Sequence, residues 1–165
     1  MDQEFCSNEQ FYSAMRQFGA AVSVVTTGAV GERQGLTATA VISLTAEPPR
    51  IACAVNRTAS SYASVIKSGR FCINVLSTSQ LDIGKRFSTD PGGESRFEIG
   101  EWEQLSTGAP VLKGALVNID CELHQEIDFG THSLLVGNIR ETRVEEGHMP
   151  LFYLNQEWVT SGELL

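Results

Sequence analysis

Two long runs meet at Asp128-Phe129-Gly130: VLKGALVNIDCELHQEIDFG over 111–130 and THSLLVGNIRETRVEE over 131–146. Both are rich in β-forming residues, and the turn between them predicts a long, bent β-hairpin. Further strand-like runs accompany it. AAVSVVTT (20–27) is β-branched and leads through the turn-rich GAVGERQG into GLTATAVISLTAEPP (35–49), while RIACAVN (50–56), FCINVL (71–76) and PLFYLNQEW (150–158) follow. Many strands, few helices and short connections predict a mainly β chain, closed as a barrel with a few flanking helices rather than wound as alternating β and α units. At 165 residues, without repeats or low-complexity segments, 1–165 reads as one domain.

The expected helices are three. Phe11, Met15 and Phe18 stand at helical spacing in NEQFYSAMRQF (8–18), with Asn8 as candidate cap and Gly19 as stop. TASSYASVIKSG predicts a helix from near Ala59 to Gly69 with Tyr62, Val65 and Ile66 on one face. A short one follows in STSQLDIGKRF, capped by Ser77 or Ser79, before STDPGGESRF, which reads as a mobile loop around Pro91, Gly92 and Gly93.

Charge and motif content exclude several functions. Lys and Arg total 12 against 20 Asp and Glu, a formal charge of −8, which argues against sequence-independent nucleic-acid binding but leaves room for a local phosphate site. No apolar run approaches the ~20 residues of a membrane span, and MDQEFCSNEQ is unlike a signal peptide, so no membrane association and a cytoplasmic location are expected. Cys6, Cys53, Cys72 and Cys121 form no CxxC pair, and three lie in apolar runs as reduced core residues. His124, His132 and His148 lack ligand spacing, so no metal site is expected. The GxGxxG, GxSxG and GxxxxGK[ST] patterns are absent.

The composition of GLTATAVISLTAEPP raises a question of its own. Thr, Ala and Ser fill a core less well than Val or Ile, so a strand of small residues either lets something large approach its backbone or makes room for a helix.

These same residues carry a family resemblance. GLTATAVISLTAEPPRIACAVN, SSYASVIKSGRFCINVL, Gly108-Ala109-Pro110-Val111-Leu112 with ALVNIDCEL, DFGTHSLLVGNI and PLFY resemble, in order, the flavin reductase family with the FMN-binding split β-barrel. The likeness runs from about Phe11 to Trp158 and is nearest to the reductase components of two-component aromatic hydroxylases acting on 4-hydroxyphenylacetate or chlorophenols. A reductase serving pyrimidine-ring cleavage is similar to a comparable degree.

The resemblance implies an NADH-dependent reductase of FMN or FAD, a homodimer that supplies reduced flavin to a partner flavin-dependent monooxygenase. It places the ring edge against Thr37, Ala38, Thr39 and Ala40, with Val41 and Ser43 continuing the wall, and small side chains permit that approach. Asn56 would reach the flavin, and Ser60 and Ser61 its ribityl and phosphate groups at a helix start, although plain capping residues would look the same. Arg86 of the Lys85-Arg86-Phe87 spot would meet the phosphate, or serve as a solvated surface charge. His132 would line the nicotinamide site as the catalytic residue. Split barrels also bind flavin or haem without turnover, so a sensor or storage module is the alternative, and a redox-inert oxygenase subunit a third.

Overall fold

The computed structural model describes residues 5–89 and 92–161. In chain order the elements are α1 (Asn8–Met15), β1 (Ala20–Ala21), β2 (Ser23–Thr27), β3 (Gln34–Ala38), β4 (Val41–Ala46), β5 (Pro49–Asn56), α2 (Ser60–Ser68), β6 (Arg70–Val75) and α3 (Leu81–Ser88). The rest are strands: β7 (Trp102–Gln104), β8 (Pro110–Leu112), β9 (Val117–Asp128), β10 (His132–Val144), β11 (Leu151–Leu154) and β12 (Glu157–Thr160). Seven form one antiparallel sheet in the order β3-β2-β6-β9-β10-β5-β4, and β1-β11-β12 and β7-β8 form two smaller sheets.

That order dictates closure. β3 and β4 lie at opposite edges of the large sheet, yet only Thr39 and Ala40 separate them in the chain. The sheet must therefore curl until its edges meet. They meet without a ladder: Val41 N–H donates to Thr39 O at 3.0 Å and Ala54 N–H to Ala40 O at 2.9 Å, leaving a seam where the barrel is split.

The long hairpin bends at register shifts between Val136 and Gly137 and between Ile139 and Glu141. A Cβ on Gly137 would stand 2.6 Å from Phe71 Cζ and 2.8 Å from Cys121 Cβ, so glycine lets this backbone close against the interior. Inside the barrel pack Val25, Ala38, Ile51, Cys53, Val55, Phe71, Ile73, Cys121 and Leu135, with Val65 of α2. A second core, built on Val22, Val24, Leu76, Phe87, Phe97, Leu112 and Leu151, joins the outer side of the sheet to α3 and the small sheets. Burial pushes the Cys53 thiol up to about 12, which makes it an inert packing group.

Helix α2 matches its expected bounds, with Ala59 as N-cap and Gly69 in the left-handed conformation at its end. Elsewhere the structure differs from expectation. Ser7, not Asn8, caps α1 through a capping box with Gln10, and Phe11, Met15 and Phe18 are exposed. The run 20–27 breaks at Val22, which turns its N–H to Leu151 O and its carbonyl to Leu76 N–H, each at 2.9 Å, and so ties the small sheet to the large one. The expected mobile loop becomes a 3-10 turn at Glu94–Glu98 that buries Arg96 and Phe97, while its Asp90 and Pro91 lie outside the described residues. No described helix is long and apolar enough to cross a membrane.

Candidate active site

A cleft of about 800 Å³ opens between the outer face of β3, the first turn of α2, the end of α3 and the β11–β12 hairpin. Strand alternation builds its floor. Thr37 and Thr39 face the cleft, while Ala38 between them points into the barrel core. Thr37 Oγ1 donates to Gly84 O at 2.6 Å, tying α3 to the strand, and a Cβ on Gly84 would meet Trp158 at 2.9 Å. Trp158 stacks edge-on against Tyr153 with ring centroids 5.4 Å apart, and both line the cleft together with Phe87.

The polar end lies at the start of α2. Ala59 makes no side-chain cap, and the first two helical residues, Ser60 and Ser61, line the cleft at the positive end of the helix dipole, while Tyr62 N–H donates to Ala59 O at 3.0 Å. Ser60 Oγ donates to Gln34 Oε1 at 2.8 Å. Ser61 is 2% exposed, and its Oγ is buried without a hydrogen-bond partner among the described residues. A buried hydroxyl left in this way costs roughly 1–3 kcal/mol, which a ligand oxygen would recover. Asn56 Oδ1 accepts from Thr58 N–H at 2.9 Å and Thr58 Oγ1 at 2.8 Å, shaping the turn into the helix.

Arg96 forms the facing wall. Its guanidinium donates to Gly35 O at 2.5 Å and also to Thr89 O, and lies 6.0 Å from the Phe87 ring centroid. A Cβ on Gly92 would stand 2.6 Å from Ser60 Oγ and 3.6 Å from Arg96 Cζ, so the segment entering this wall crosses close over the α2 terminus. Glu94, bound bidentately by Arg33 and by the Arg33 N–H at 2.8 Å, anchors the segment. Those Arg33 hydrogen bonds hold the Glu94 carboxyl below the usual carboxylate range.

Unspent helix N–H groups, an orphaned hydroxyl and a neighbouring guanidinium at one end, with small and aromatic surfaces at the other, fit a phosphate-bearing planar heterocycle. Residues 15–161 match the flavin reductase like domain. The chain belongs to the flavin reductase family. It is 38% identical over 148 residues to the FMN reductase (NADH) RutF of Pseudomonas syringae pv. syringae (strain B728a), covering 90% of this chain and 83% of that one. A candidate flavin reductase from Haemophilus somnus 129PT superposes with a TM-score of 0.91 at 32% identity, covering 94% of this chain and 100% of the other. BorF, the flavin reductase component of a bacterial two-component tryptophan halogenase, gives a TM-score of 0.87 at 25% identity over 96% of this chain and 100% of its own.

Within this flavin reductase fold the residues singled out in the sequence separate into two groups. Thr37, Thr39, Asn56, Ser60 and Ser61 come together in the cleft. The side chains of Ala38 and Val41 pack on the barrel core, and Ala40 and Ser43 are exposed at and beyond the seam, because the stretch read as one strand breaks at Thr39-Ala40. Arg86 sits on the exposed face of α3, where it donates to Ser95 O at 2.8 Å, while Arg96 occupies the cleft. His132 is exposed outside the lining, but it pairs in register with Asn56, which places it at the rim, and its Nδ1 is 3.0 Å from Thr131 Oγ1.

Arg96, Phe87, Tyr153 and Trp158 escaped the sequence reading. Arg96 lay in an expected loop, and Phe87, Tyr153 and Trp158 carried no assigned role within their runs. Among the described residues no group of three or more His, Cys, Asp or Glu gathers as a metal site.

Proposed function

We propose that this flavin reductase uses NADH to reduce FMN or FAD and passes the reduced flavin to a partner monooxygenase acting on an aromatic or heteroaromatic ring. The orphaned Ser61 Oγ at the uncapped start of α2 carries the reading, because it is a buried donor awaiting an acceptor where a helix dipole favours an anion. The α2 N–H groups, Ser60, Ser61 and Arg96 would hold the phosphate, and Thr37, Thr39 and the β3 backbone would flank the ring system. Flavin, when bound, supplies the hydride acceptor. The protein's own work is orientation and exclusion of water: Phe87, Tyr153 and Trp158 cover the apolar side, and Thr37 fixes α3 at a set distance from β3.

His132, at the rim beside Asn56, is proposed to position the nicotinamide. His132→Ala should lower kcat/KM for NADH about tenfold to a thousandfold while changing flavin affinity by less than about 1 kcal/mol. Unchanged NADH kinetics would remove it from the site.

The reading extends to assembly. β4 is a sheet edge that exposes Ile42 and Leu44, a surface suited to a second copy, so a homodimer of one-domain chains working in the cytoplasm is proposed. A sedimentation mass equal to one chain at micromolar concentration would oppose it. The deciding experiment records NADH oxidation with and without added FMN or FAD. Turnover only with flavin supports the proposal, whereas tight flavin binding without NADH oxidation would make the chain a storage or sensor module.

A further inference from the structure

At the opposite end of α2 from the cleft lies a separate cavity of about 500 Å³, and the two share no lining residue. Ser60 and Ser61 open the helix in the cleft and Ser68 closes it in this cavity, so a nine-residue helix, about 13 Å long, stands between them. Arg70, the first residue of β6, forms one wall and the Ser106-Thr107 loop between β7 and β8 another. Glu122 of β9 and Arg140 of β10 make the rim. Among the described residues no aliphatic or aromatic one lines this cavity, whereas three aromatic rings line the cleft.

The Arg70 guanidinium is held on one side only. Its Nη1 donates to Thr107 O at 2.9 Å, and a Cβ on Gly108 would stand 3.4 Å from that nitrogen, so glycine lets the loop close onto it. The loop is fixed from behind. Asp120 accepts from Thr107 N–H at 2.7 Å and from Thr107 Oγ1 at 2.6 Å, and Glu141 accepts from Ser106 N–H at 3.0 Å. The other edge of the guanidinium, Nε with Nη2, meets no acceptor among the described residues, and Nε is buried. Glu122 pairs in register with Arg70 across β6 and β9, yet its carboxylate is taken by Arg140, whose Nε donates to Oε2 at 2.8 Å. A buried N–H of a charged group without an acceptor is costly, and the open edge is the planar two-donor fork that matches the two oxygens of a carboxylate.

We propose that this cavity binds a short, hydrophilic organic monocarboxylate, held bidentately by Nε and Nη2 of Arg70. Charge selects a monoanion. Two guanidinium groups face Glu122 in the lining, Asp120 and Glu141 stand behind the loop, and the last carbonyls of α2 bring the negative end of its dipole. A second negative charge on the ligand would be repelled where a single carboxylate is matched. The lining selects the rest of the ligand, since Ser68 and Ser106 present hydroxyl oxygens where an apolar tail would find no cover. The site is independent of flavin reduction and touches none of its residues.

Side-chain nitrogen–proton NMR of the full-length protein reads the site at the atom concerned. Glycolate, added at constant ionic strength, should shift the Arg70 Nε–H resonance saturably, and sulfate should bind at least about tenfold more weakly. In calorimetry, Arg70→Lys should weaken glycolate about tenfold or more, because lysine keeps the charge and loses the fork. Glu122→Gln, at an exposed position, should tighten glycolate about threefold by removing a like charge, and it keeps the test decisive if Arg70→Lys does not fold. No saturable shift, equal affinity for sulfate, undiminished binding in Arg70→Lys, or weaker binding in Glu122→Gln would each overturn the proposal.

Discussion

Two of the places where this molecule buries polar side chains treat them in opposite ways. Between the barrel and the β7–β8 ribbon, Asn74 Nδ2 donates to Val24 O and its Oδ1 accepts from Leu112 N–H and Asn118 Nδ2, all at 2.9 Å, while Thr26 Oγ1 donates to Pro110 O at 2.5 Å. There Asn118 Oδ1 and, on β6, Arg70 Nε are left without a partner among the described residues. In the cleft, Ser61 Oγ has none, and the open helix terminus beside it waits in the same way. One region spends its hydrogen bonds on the fold, and the other leaves a buried hydroxyl without one.

Substitutions can break this contrast. The largest expected effect is at the satisfied network: Asn74→Leu strands the Leu112 N–H and the Asn118 amide, and should destabilise the protein by about 2–4 kcal/mol in denaturant melts. In the cleft the loss should fall on binding instead. Ser61→Ala should weaken FMN binding about tenfold by fluorescence quenching, yet leave stability unchanged or raise it by up to about 1–3 kcal/mol, because the buried hydroxyl has no hydrogen bond to lose in the folded chain and its desolvation cost is removed. A large stability loss there would erase the distinction.

A smaller effect concerns strain. Gln156 holds a left-handed backbone in the β11–β12 turn, so Gln156→Gly should raise stability by about 0.5–1 kcal/mol, the relief of strain less the entropy glycine loses. The smallest is a pH effect. The folded Glu94 carboxyl titrates below its ordinary range because of Arg33, so its contribution is present above that range and fades as pH falls through the depressed folded value. Acidification down through that depressed value should therefore lower the hydrogen-exchange protection of 94–98, relative to the intrinsic rate at the same pH, before it touches β9, and Arg33→Gln should abolish the difference.

The sequence made legible whatever was encoded locally. Ala59 and Gly69 bound α2 because caps and stops act within a turn, and the alternating runs around Asp128 specify β9 and β10. The break at Thr39-Ala40 was hidden, since neither residue is a turn former and the bend comes from closing the sheet. For the same reason alternation alone did not say which of Thr37 and Ala38 faces the core; the strand's other neighbours decide it. The helical spacing of Phe11, Met15 and Phe18 announced a buried face that the chain leaves open. Arg96 joined the site through contacts that include Gly35, far away in the chain.

The seam has a consequence for the order in which the barrel assembles. β2 with β3, β4 with β5 and β9 with β10 are hairpins of neighbouring segments, whereas β2 with β6, β6 with β9 and β10 with β5 join distant ones. Loop-closure entropy favours the three hairpins first, with the long β9–β10 pair as the template on which the others dock from either side. The two docking events need not wait for each other, because no ladder links β3 to β4. Thr39 and Ala40 only tether the two wings, and the candidate cleft, whose floor belongs to β3 and whose polar end follows β5, takes shape last.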